Sequence, residues 1–150
     1  MGEKLAKLID RKRKQSADGP RINWDDRRDA YVTAVDHLYA LIENILAAPL
    51  RDGAVQVQRR PKNLEEAYIG SYRIEDLVLF FGDEQVRFSP QGRNILGAEG
   101  RVDVLGERGT ATLILNGGTW SRLLTRQPRV TTEQIDEEVV VDMLNAIMRD

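Results

Sequence analysis

The apolar residues of this chain change period twice. Tyr31, Val35, Leu38, Ile42 and Ile45 recur three and four apart, the spacing that lines one face of a helix. From residue 53 the apolar positions fall on every second residue: Val55 and Val57 against Gln56 and Gln58, Val86 and Phe88 against Gln85 and Arg87, Val102 and Val104 around Asp103, then Ala111, Leu113 and Leu115. Helical spacing returns in Ile135, Val139, Val140, Met143, Leu144, Ala146, Ile147 and Met148. Helices at both ends, strands between them, tight turns and no helical crossovers imply an α+β fold. The expected form is an antiparallel β-meander sheet of about five or six strands, flanked by a long N-terminal helix and a C-terminal helix.

Local signals sharpen the boundaries. Asn23 is a good N-cap, Asp25 and Asp26 suit a first turn, and Pro49 is expected to stop the helix near Ala47. Gly82-Asp83 divides the apolar run Leu77 to Phe81 from the next alternating segment, which reads as a hairpin, and Asn116-Gly117-Gly118 turns the chain into a further strand over residues 119–126. Thr131 or Thr132 is expected to cap the last helix. Upstream, residues 4–15 form a short helix with Leu5, Leu8 and Ile9 on one side, closed by Asp18-Gly19-Pro20. The organisation is a basic arm or short helix over residues 1–20 and a single α+β domain over residues 21–150.

At 150 residues the chain is long enough for one self-sufficient core. It contains no cysteine, which excludes thiolate nucleophiles, Cys-ligated zinc and iron–sulfur clusters. His37 is the single histidine and lies on the polar side of its helix, so neither a catalytic triad nor a two-histidine metal site is expected. The doublets Glu65 and Glu66, Glu75 and Asp76, and Glu137 and Glu138 read as surface groups, because neighbouring side chains diverge in strands and helices alike. The stretch from Gly97 to Gly109 holds four glycines but matches neither G-x-G-x-x-G nor the P-loop pattern, so Gly106-Glu-Arg-Gly109 reads as a hairpin turn that uses glycine's tolerance of positive φ. No cofactor, metal or catalytic residue is assigned. The charged N-terminus lacks the apolar core of an export signal and no apolar run spans a bilayer, so the expected setting is cytoplasmic, of bacterial type, without membrane contact.

Charge is unevenly distributed. Residues 1–17 carry six basic against two acidic residues, a net +4, and the remainder of a chain whose total is −2 therefore carries −6. Seventeen of the 22 basic residues are arginine. Two surfaces follow. Arg11, Lys12, Arg13 and Lys14 of the arm, with Arg87, Arg101, Trp120 and Arg122 projecting from the sheet, are candidates for contact with nucleic acid or an acidic partner through phosphate contacts and stacking. Tyr31, Val35, Leu38, Ile42, Ile45, Val140, Leu144 and Met148 are candidates for an assembly interface, since two wide apolar helix faces exceed what one small sheet covers. The leading reading is a non-catalytic binding or assembly domain, homodimeric or bound to a protein partner. Nucleic-acid binding is the alternative, and a carboxylate-based enzyme the second alternative.

Overall fold

The computed structural model describes residues 2–18, 23–93 and 98–150, with the side chains of residue 10 and residues 12–18 outside that description. Three helices, α1 (Gly2–Asp18), α2 (Trp24–Ile45) and α3 (Ala47–Asp52), precede seven strands: β1 (Gln56–Glu66), β2 (Gly70–Phe81), β3 (Glu84–Gly92), β4 (Gly100–Leu105), β5 (Thr110–Asn116), β6 (Thr119–Thr125) and β7 (Thr131–Gln134). Helix α4 (Glu137–Ile147) follows. The strands form one sheet in sequence order, every neighbouring pair antiparallel. The α+β meander is as the alternation predicts, with seven strands in place of five or six.

Helix α2 starts where Asn23 Oδ1 accepts from the Asp26 amide at 3.1 Å. Its apolar stripe faces the sheet, and Tyr31, Val35, Leu38, Tyr39 and Ile42 are all fully buried there. Burying each such side chain contributes about 1.5–3 kcal/mol. Polar ties fix the helix against four strands. Tyr31 Oη donates to the Arg101 carbonyl at 2.6 Å and accepts from the Gly92 amide at 3.1 Å, Tyr39 Oη donates to the Glu75 carbonyl at 2.7 Å, and Trp120 Nε1 donates to the Ala34 carbonyl at 2.9 Å.

Residues paired directly across antiparallel strands share a face. Leu79 with Val86, Leu77 with Phe88, Val102 with Leu113, Val104 with Ala111 and Leu115 with Trp120 are such pairs, and all are buried. That face, with α2 and the Val139, Val140, Met143, Leu144 and Ile147 side of α4, encloses the core.

Several boundaries differ from expectation. The first long helix breaks at Leu46, and Pro49 sits in the first turn of α3, where a missing N–H costs no hydrogen bond. Strand β1 continues through Arg59, Arg60, Pro61 and Lys62, a polar stretch that is stable as a strand because it forms the sheet edge. Thr131 and Thr132 do not cap a helix. They pair with β6, and Asp136 takes the cap, accepting from the Val139 amide at 2.8 Å.

Candidate functional site

The sheet face turned away from the helices carries Lys62, Asp76, Arg87, Ser89, Arg101 and Asp103. Lys62 Nζ lies 2.8 Å from Ser89 Oγ and 2.8 Å from Asp76 Oδ1. The second approach is misaligned for a hydrogen bond, so that attraction is Coulombic. Arg87 Nη1 is 3.9 Å from the same carboxylate. Arg101 grips Asp103 with Nε at 2.7 Å and Nη2 at 3.2 Å, a two-point fork. Val78, fully buried, is paired with Gln58 on one neighbouring strand and Arg87 on the other. These cations are engaged by carboxylates on their own face, which stabilises the sheet and leaves little charge for phosphates.

The sequence-predicted residues are scattered. Arg87 and Arg101 share the outer face, but Trp120 does not project beside them. It is buried against α2, and Arg122 shares its face, 3.8 Å from Glu133. The parity was right and the face was wrong, because Trp120 lies opposite core residue Leu115. Arg11 is exposed on α1, whereas the side chains of Lys12, Arg13 and Lys14 lie outside the described residues. The apolar set is likewise relocated. Tyr31, Val35, Leu38, Ile42, Val140 and Leu144 are buried in the chain's own core, with Ile45 and Met148 packed at its margin. A seven-stranded sheet covers more helix surface than five or six strands would, so these residues present no free interface.

Of the carboxylate doublets, Asp76 faces Lys62, Glu75 lies 3.9 Å from Arg59, and Glu66 accepts from the Arg93 amide at 2.7 Å and from the Tyr72 hydroxyl. His37 is exposed at a shallow groove with Asp29, Thr33 and the rim of Trp120. Among the described residues no group of three or more His, Cys, Asp or Glu side chains is arranged to hold a metal ion, and no helix is long and apolar enough to cross a membrane.

Two exposed surfaces remain. Every described side chain of α1 is exposed, and Leu5 (59%), Leu8 (42%) and Ile9 (47%) form an apolar stripe there, flanked by Lys4, Lys7 and Arg11. On the outer side of α4, Val141 (47% exposed) lies among Glu137, Glu138 and Asp142 in a shallow depression that also includes Asp136. The sequence reading left Val141 out of its apolar set because it followed only the residues that line the core-facing side of the helix. The spacing of Glu138, Val141 and Asp142 alone places them together on the face opposite Val140, Met143 and Ile147. No family model, curated protein or solved structure matches the chain.

Proposed function

We propose that this protein is a non-catalytic binding domain in which the helix-backed sheet is a scaffold and α1 is the binding element for a protein partner. The observation that carries the reading is the stripe of Leu5, Leu8 and Ile9, spaced i, i+3, i+4 and exposed on a helix with no described side chain in the core. Isolated helices of this length are marginal in water, and an amphipathic one gains its order by laying the apolar face on a partner. A cytoplasmic setting accords with a chain that uses no disulfide.

The test compares the parent with the triple variant Leu5→Asp, Leu8→Asp, Ile9→Asp by size-exclusion chromatography with light scattering after native low-salt purification. The expected result is a larger assembly for the parent and a lone chain for the variant, with the variant's folded circular dichroism signal retained. A lone parent chain at high micromolar concentration, with nothing bound, refutes the reading. The second reading, nucleic acid, is favoured by one observation: Arg126 and Arg129 are exposed at the β6–β7 turn, in addition to the cations of α1. It predicts a nuclease-sensitive absorbance excess at 260 nm and affinity that falls steeply with salt.

A further inference from the structure

The chain contains both a basic apolar helix face and an acidic one with an apolar centre, and neither is covered. Lys4, Lys7 and Arg11 repeat at three and four residues along one flank of the α1 stripe, all exposed. Glu137, Glu138 and Asp142 surround Val141 on α4 and are exposed as well. Most arginines of the folded body near a carboxylate are already engaged: Arg28 with Asp29, Arg59 with Glu43, Arg101 with Asp103, Arg149 with Glu107. The cations of α1 and the carboxylates around Val141 form no such pairs among the described residues. The two faces therefore match in sign and in having an apolar centre.

We infer that α1 of one copy docks on the outer face of α4 of a second copy, Leu5, Leu8 and Ile9 covering Val141 while Lys4, Lys7 and Arg11 face Glu137, Glu138 and Asp142. This rests on α1 being the binding element and names its partner as a second copy of this chain. The exchange is reciprocal, because a two-fold arrangement lets each copy supply one helix and one acidic face. Two equivalent contacts form together, so the second closes as an intramolecular step at high effective concentration. The geometry also explains why Val141, an apolar residue on the solvent side of a well-packed helix, has carboxylates on either side: they keep the free surface soluble and select a basic helix.

Charge exchange tests it. Variant A carries Lys4→Glu, Lys7→Glu and Arg11→Glu; variant B carries Glu137→Lys, Glu138→Lys and Asp142→Lys. Analytical ultracentrifugation of the parent should show a dimer whose dissociation constant rises about tenfold or more between 0.05 and 0.5 M NaCl, since exposed pairs are screened. A and B should each be monomeric, and an equimolar mixture should regain the dimer, because both cross-contacts are then attractive. That recovery also shows that B is folded; Val141→Asp, which changes a single exposed position, serves as the milder disruption. A parent that stays monomeric, or a mixture that does not recover, overturns the inference. If A and the Leu5, Leu8, Ile9 triple variant lose an assembly that B and Val141→Asp retain, the α4 pairing fails while α1 stands as the binding element. If none of them differs from the parent, both readings fail.

Discussion

Gly100 and Gly106 belong to the glycine-dense stretch of the sequence, and neither is among the positive-φ glycines. Glycine is required there by proximity instead. A Cβ on Gly106 would sit 2.3 Å from the Ile147 carbonyl oxygen, and one on Gly100 2.5 Å from the Tyr31 ring. The expectation of a left-handed turn at Gly106 is thus replaced by a close approach, in which the β4–β5 turn meets the end of α4 and the Arg108 amide donates to Ile147 O at 2.8 Å. Gly106→Ala is expected to cost about 1–3 kcal/mol, as overpacking does; an unchanged urea midpoint would show that the contact yields freely. The buried tyrosines give a pH signature. Burial pushes the hydroxyls of Tyr31, Tyr39 and Tyr72 well above their ordinary range, aided at Tyr72 by its hydrogen bond to Glu66 and opposed at Tyr31 by the Gly92 amide. Since the folded pKa exceeds the unfolded one, their contribution is complete below about pH 10 and is lost as pH rises above it. Denaturation at pH 8, 10 and 11 should show stability falling from about 10 upward, and less steeply in Tyr39→Phe.

At the scale of elements, caps and turns decide where the repeating patterns start and stop. Asp136→Ala should cost about 1 kcal/mol by removing the acceptor for the Val139 amide, whereas Thr132→Ala, at the position first expected to cap, should leave the α4 helical signal in circular dichroism unchanged. Deleting residues 1–18 should shift the melting temperature by no more than about 2 °C when parent and variant are compared at a dilution and salt concentration where the parent is monomeric, because no described α1 side chain is buried; a larger loss under those conditions would mean that α1 is part of the core. The helix stripe, the hairpins at Gly82 and Gly117 and the Asn23 cap were legible because each depends on neighbours in sequence. Strand β1 was half legible, since Arg59 to Lys62 have no alternation and gain strand geometry only from pairing with β2. Trp120 was misplaced because strand parity fixes which residues share a face and not which face meets the helix. The candidate surface at Val141 was legible from helical spacing, but a lone apolar residue among carboxylates gives no apolar pattern to follow.

At the scale of the molecule, long-range polar contacts gather at the turns. Arg149 reaches Asp83 at 3.0 Å and Glu107 at 2.9 Å, while its amide donates to Glu84 at 2.6 Å, so the end of α4 is anchored to the β2–β3 and β4–β5 turns. The carboxylates, Asp83 foremost, hold the Arg149 guanidinium even more firmly in its charged form. The meander itself is local, each strand pairing only with its sequence neighbours, but α2 is not: Trp120 reaches back 86 residues to Ala34. Order of synthesis gives that contrast a consequence. The helix whose tyrosines and aliphatic residues end up most deeply enclosed leaves the ribosome before any strand exists to shield it. Its cover grows one hairpin at a time and is complete only after β6 and α4 have emerged. A nascent chain truncated between β5 and β6 would display Ala34 and its surroundings to any chaperone that recognises apolar helices, and the segment from β6 onward ends that exposure.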